Sequence, residues 1–196
     1  MAQITLDRRE VLAKIFPDPD SYLFISGLAG SSRDAAGLTK DGAHLYSMAG
    51  AMGAAASTGL GVAMAAADRK VAVITGDGEL LMNVGSLATI ATIGPGNLSI
   101  VCIDNGCHGE TGGQTGHTSN RTDLAMMAKG AGISSIMTVA TASDLEAVAG
   151  FLAETPGPHF VLVKVKDGPP TVYRRNLDLA ECRIRFRNGF QQSSPA

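Results

Sequence analysis

An acid set between two glycines directly after an apolar run is a chemical signal, and residues 70–116 carry one. The run 71–75 ends in Gly76-Asp77-Gly78, and a second run, 98–104, ends in Asp104-Asn105-Gly106. Both runs are rich in β-branched residues and short enough to be buried parallel strands. After the first comes the stretch 79–93, whose apolar residues recur with helical spacing. A strand, a glycine-flanked acid and a helix point main-chain N–H groups at an anion. The carboxylate of Asp77 would repel a bare phosphate, so a divalent cation joining carboxylate to phosphate oxygens is the natural third party. Asn105 stands at the end of the next strand, and in an open parallel sheet both strand ends face one crevice.

The remaining elements must hold that crevice. Residues 4–16 read as an amphipathic opening helix, stopped by Pro17 and Pro19. Residues 21–26 read as the first strand, and 27–34 as a loop beside the crevice. Residues 45–53 lead into an alanine-rich helix over about 53–67. Beyond Gly116, a helix is expected over 122–130, with Thr122 as its cap and Asp123 at its positive end. A strand at 135–139, a helix at 143–154 and a strand at 159–165 follow. The alternation predicts an α/β fold, a parallel sheet flanked by helices on both faces. One domain over 1–196 is expected, with a basic tail from about 167 that holds Arg174, Arg175, Arg183, Arg185 and Arg187. Its plainest form is a solvated final helix, and a subunit contact is the other.

Composition removes several classes of function. With 196 residues the chain can bury a substantial core, and a formal net charge of −2 leaves no footprint for nucleic acid. Cys102, Cys107 and Cys182 form no CxxC pair, which fits a reduced, cytoplasmic compartment and neither a disulfide framework nor an iron–sulfur cluster. Asp7, Arg8, Arg9 and Glu10 stand where a signal peptide would be apolar. The uncharged stretch 48–67 is long enough to span a bilayer, but its alanines and glycines give little transfer energy, so a buried helix is expected and no membrane contact.

Gly-Asp-Gly after one strand with Asn105-Gly106 after the next resembles the signature of the thiamine diphosphate enzymes. The resemblance implies that Asp77, Asn105 and the main-chain carbonyl of Cys107 hold Mg²⁺, which grips the cofactor's diphosphate. It places Gly76 in the motif and the backbone of Gly78 and Glu79 on the phosphate oxygens. Upstream, the segment from Met48 to Gly53 is similar to the part of the family that meets the cofactor's rings. There Met52 would wedge them into a bent shape, and the carbonyl of Gly50 would accept from the 4′-amino group. Taken alone, Met52 is also ordinary core filler.

The glycine-rich segment 106–116 is expected to be a mobile lid. His108 and His117 are candidate proton donors or anion ligands, since imidazole exchanges protons readily near neutrality. A solvated loop histidine is the plain alternative, and Glu110 is a weaker candidate. Arg33 and Arg121 could grip an anionic substrate tail or make surface ion pairs.

The order of these segments, with GDGELLMNVGSLATI, DNGCHGETGGQ and HTSNRTDL, resembles the cofactor-binding subunit of the phosphonopyruvate and sulfopyruvate decarboxylase group over about residues 21–166. That group carries Thr-Thr-Gly where this chain has Gly27-Leu28-Ala29, and a proline where it has Thr115. The implied reaction is decarboxylation of a small anionic 2-oxo acid to an aldehyde, with His108 or a partner's group supplying the proton. In such enzymes a Glu on a second, pyrimidine-binding domain activates the cofactor. No room remains for that domain here, so a separately encoded α subunit carrying the Glu is expected as partner. Two alternatives stand: the β subunit of a 2-oxoacid:ferredoxin oxidoreductase, and a non-catalytic diphosphate-binding protein.

Overall fold

A computed structural model describes residues 4–192. In chain order its strands are β1 (Tyr22–Ser26), β2 (Leu45–Ser47), β3 (Lys70–Gly76), β4 (Leu98–Asp104), β5 (Cys107–His108), β6 (Gln114–Thr115), β7 (Ser135–Val139) and β8 (His159–Lys164). The helices are α1 (Arg8–Ile15), α2 (Ala29–Thr39), α3 (Ala55–Ala65), α4 (Asp77–Leu81) and α5 (Ser86–Ile93). They continue with α6 (Leu124–Gly130), α7 (Ala142–Glu146), α8 (Val148–Glu154) and α9 (Leu179–Gln192). Six strands pair in parallel in the order β2-β1-β3-β4-β8-β7, while β5 and β6 form a small antiparallel hairpin.

The near-continuous apolar runs are explained by burial on both sides. On β3, Val71 and Val73 face a core layer formed with Ala56 and Leu60 of α3, Ile90 of α5 and Leu124 of α6. Ala72 and Ile74 face the opposite layer, formed with Leu12 of α1, Ala35 of α2 and Val148 of α8. The small residues of α3 serve close packing: a Cβ at Gly59 would come within 2.1 Å of a Val73 methyl. Among the described residues no helix is long and apolar enough to cross a membrane.

Strand order sets the position of the crevice. The chain leaves β1 for the edge strand β2, then returns across β1 to β3, so the order reverses beside β1. At such a reversal the loops leaving the carboxyl ends of the strands part and open a cleft.

Several local expectations are corrected. The expected loop 27–34 is mostly helix, because α2 begins at Ala29, which reaches a φ of 60° to make the turn. Residues 45–47 form the edge strand β2. The helix expected over 79–93 is two helices, α4 and α5, broken near Met82 where the turn at Gly53 packs against it. The helix expected over 143–154 is likewise two, with Thr141 in a capping box at the first. Asp123, not Thr122, caps α6, its side chain accepting from the Met126 N–H at 3.0 Å. The tail helix is not simply solvated: α9 buries Cys182 and Phe186, whose ring lies 5.7 Å from that of Tyr46, and so covers the β2 edge.

Candidate active site

The crevice lies at the carboxyl ends of β1, β3, β4 and β8 and encloses about 530 Å³. Residues 28–31, 76–79, 107–111 and 167–170 line it, joined by Ile103, Asn105, Arg8, Arg33 and Met52. Gly76, Asp77, Gly78, Glu79, Asn105, Cys107 and His108, singled out in the sequence, therefore meet in one place. Gly50 sits on an exposed turn outside the lining, and Arg121 and His117 are also exposed and outside it.

Asp77 opens α4 and is only 4% exposed. Burial raises its pKa, and the negative charge of Asp104 adds to the effect, opposed by hydrogen bonds from Thr118 and the main chain of Gly78. A carboxylate so placed is short of a cation. The amide of Asn105 donates to Cys107 Sγ at 3.0 Å and to Asp167 Oδ1 at 3.2 Å, and the Cys107 thiol donates to the same Asp167 oxygen at 3.0 Å. Burial, followed by that Asp167 contact, pushes the Cys107 thiol up to about 11, so the sulfur stays protonated. A hard cation prefers oxygen to sulfur, and this turn has amide and main-chain oxygens to offer one. Among the described residues no three His, Cys, Asp or Glu side chains cluster to hold a metal alone. The donor set fits a hard cation that takes its remaining ligands from amide, main-chain and phosphate oxygens.

Glu79 is also 4% exposed, and burial raises its pKa. Its Oε2 accepts from the N–H groups of Leu28 and Gly76, both at 3.4 Å, while Oε1 is buried without a partner. The carboxylate occupies the space of a side chain at residue 27: a Cβ there would lie 1.6 Å from Oε1. Residue 27 is therefore held to glycine in this chain by the Glu79 carboxylate. Gly27→Ala is expected to destabilise the chain by about 1–3 kcal/mol, the range for overpacking. The Gly27→Ala/Glu79→Ala double variant should recover much of that loss in denaturant unfolding. Additive losses would disprove the coupling.

The lid is more ordered than the sequence suggests, because β5 and β6 pair Cys107 with Thr115 and His108 with Gln114. This hairpin lays His108 against the motif, where a Cβ at Gly78 would come 3.1 Å from its imidazole, and sets its ring 6.1 Å from that of His117. Met52 lines the crevice and is 45% exposed, so it is not core filler in this chain. Arg33 reaches the rim, 3.7 Å from Glu110. Sequence reading missed Arg8, Asp167 and Thr118. Arg8 lies at the first turn of α2, paired with buried Asp34 at 2.8 Å. All three are brought in by contacts between residues far apart in the chain; Thr118 falls within the HTSNRTDL segment, but nothing in that motif assigns it to the Asp77 carboxylate.

Comparison with known proteins bears on this geometry. Residues 30–163 match the family model described as the thiamine pyrophosphate enzyme, C-terminal TPP-binding domain. The chain is 37% identical over 181 residues to sulfopyruvate decarboxylase subunit beta of Methanothermobacter thermautotrophicus, covering 92% of this chain and 94% of that one. It is 38% identical over 180 residues to phosphonopyruvate decarboxylase of Streptomyces hygroscopicus, covering 91% of this chain but only 44% of that protein. The chain thus spans under half the length of the latter relative. A structure of a thiamin diphosphate-dependent enzyme from Mycobacterium smegmatis shares the fold, with a TM-score of 0.62 at 18% identity, over 80% of this chain and 31% of that one.

Proposed function

The chain belongs to the thiamine pyrophosphate enzymes through the C-terminal TPP-binding domain matched over residues 30–163, and from that premise we propose that it is the cofactor-binding subunit of a split, Mg²⁺-dependent 2-oxo acid decarboxylase. The substrate class is a small 2-oxo acid with a second anionic group, of the sulfopyruvate or phosphonopyruvate kind, converted to an aldehyde and CO₂. The names of the relatives support this substrate class, and the word beta in one of them supports a separately encoded partner. In this reading residues 1–196 form the single diphosphate-side domain. The enzyme is cytoplasmic, in keeping with the free thiols of Cys102, Cys107 and Cys182.

The observation that carries the reading is Asp77, a buried carboxylate beside a strand-order reversal, with Asn105 on the neighbouring strand end. Asp77, Asn105 and the Cys107 carbonyl would hold Mg²⁺, and the Gly78 and Glu79 main chain would meet the phosphate oxygens. Thiamine diphosphate, when bound, supplies the electron sink for loss of CO₂. Met52, on the open rim, is placed to press on its rings, and the Gly50 carbonyl on the adjoining turn to orient them once the partner closes that side. Arg33 meets the anionic tail of the substrate. His108 is the proton carrier that this chain contributes, and the partner's Glu activates the cofactor.

Co-expression with a pyrimidine-side subunit and assay of CO₂ release from anionic 2-oxo acids, without any electron acceptor, tests the reaction class. Release with sulfopyruvate or phosphonopyruvate, and little with pyruvate, is expected. Turnover that needs ferredoxin or another acceptor would place the chain among the oxidoreductases instead.

A further inference from the structure

Two buried carboxylates share one hydroxyl beneath the crevice. Thr118 Oγ1 lies 3.0 Å from Asp77 Oδ2 and 2.7 Å from Asp104 Oδ1. Asp104 is 2% exposed and does not line the crevice, yet it is tied on every side. Its Oδ1 also accepts from the Gly106 N–H at 3.0 Å, and its Oδ2 pairs with Lys164 Nζ from the adjacent strand position on β8. Thr118 is held as firmly. It sits in the short turn His117–Ser119 that follows the β5–β6 hairpin. The turn is pinned to the strand end by two bonds to the Gly106 carbonyl, from the Gly116 N–H and the Ser119 hydroxyl, each 2.7 Å. Lys164, Asp104, Thr118 and Asp77 thus form a continuous line of contacts, with the single hydroxyl proton of Thr118 lying between the two carboxylates.

We infer that Thr118 is a positioning residue: its hydroxyl, held in place by the hairpin, donates to the Asp77 carboxylate and sets the orientation in which that carboxylate meets a divalent cation. The inference rests on the reading of Asp77 as a metal ligand. It deepens that reading by assigning work to the HTS turn and to Asp104, neither of which lines the crevice itself. The physical reason is that a ligating carboxylate needs a fixed rotamer, and a partner bonded to one oxygen supplies it. The one hydroxyl proton serves one carboxylate at a time; Asp104 already accepts from the Gly106 N–H and pairs with Lys164, so the proton is left for the ionised Asp77 carboxylate. The arrangement also couples the hairpin to the metal. A displacement of the hairpin would carry Thr118 with it and release Asp77.

The test uses the full-length chain with saturating thiamine diphosphate and Mn²⁺ as the probe cation, its binding followed by electron paramagnetic resonance. Thermal unfolding is recorded in parallel. Thr118→Val keeps the shape and removes the hydroxyl, and is expected to weaken Mn²⁺ binding about 10–100-fold, the usual range for partners of metal ligands. Thr118→Ser restores the hydroxyl and should bind within roughly threefold of wild type, and Thr118→Ala supplies a second hydroxyl-free variant in case valine perturbs folding. A merely structural threonine would shift the melting temperature and leave the affinities of folded Val, Ala and Ser variants alike. Asp77→Ala separates the two levels. If it abolishes Mn²⁺ binding while Thr118→Val and Thr118→Ala bind as wild type, the positioning role is overturned and the metal site stands. If Asp77→Ala itself binds Mn²⁺ normally, the metal site is wrong and the inference falls with it.

Discussion

Asp77→Ala is expected to abolish Mg²⁺-dependent binding of thiamine diphosphate while leaving the chain folded. Changes to the partners of metal ligands already cost roughly 10–100-fold in affinity, so loss of the ligand itself should exceed that range. Stability should change little, for two opposing reasons. The substitution removes one acceptor of the Thr118 hydrogen bond, a loss of about 0.5–1.5 kcal/mol. It also removes a desolvated carboxylate whose charged form is disfavoured by burial and by Asp104. Calorimetric titration of the cofactor, with and without Mg²⁺, gives the affinity, and thermal unfolding gives the stability. Retained Mg²⁺-dependent binding would remove Asp77 from the site.

The second large effect concerns the missing half of the site. The chain alone is expected to bind cofactor weakly and to decarboxylate nothing, because the proposed activating Glu lies on the partner. Proton transfer by a positioned group is worth about 10²–10⁴-fold, and its absence should lower turnover by at least that much. Adding the partner should restore activity, saturating at one to one. Met52 on the crevice lining is exposed, as are Met82 and Met126 elsewhere on the surface. A Cβ at Gly53, next to Met52, would lie 2.9 Å from that of Met82, so the Met52 and Met82 segments are neighbours. Unbranched, polarisable side chains suit a surface that adapts to a second subunit. Activity of the purified chain equal to that of the mixture would contradict a split site.

The parts of this architecture that depend on near neighbours were legible in the sequence. Strands β3, β4 and β8 are legible because a strand buried on both faces is a short, mostly apolar run rich in β-branched residues and bounded by turn residues. The Gly76-Asp77-Gly78 motif was legible because it follows a buried strand and is matched by Asn105-Gly106 at the end of the next one. Helix α2 was not, since its Gly30, Ser31 and Ser32 imitate a loop and no side chain caps it at Leu28. Strand β2 is only three residues long and is fixed by its pairing with β1. The break between α4 and α5 answers to Gly53, packed against it from a distant turn. The roles of Thr118, Asp104 and Asp167 were not legible for the same reason: they lie in contacts between distant parts of the chain, and no spacing encodes them.

The central claim, that this chain holds the cofactor and a partner activates it, is tested most directly by exchange of the cofactor's C2 proton for deuterium. The exchange is measured by NMR after acid quench, with Mg²⁺, for this chain, for the pyrimidine-side subunit and for the two together. Rapid exchange only in the mixture, lost again when Asp77→Ala replaces the wild-type chain, is the expected result. Exchange catalysed by this chain alone at the rate of the mixture would show that the activating group is already here, and would contradict the half-site.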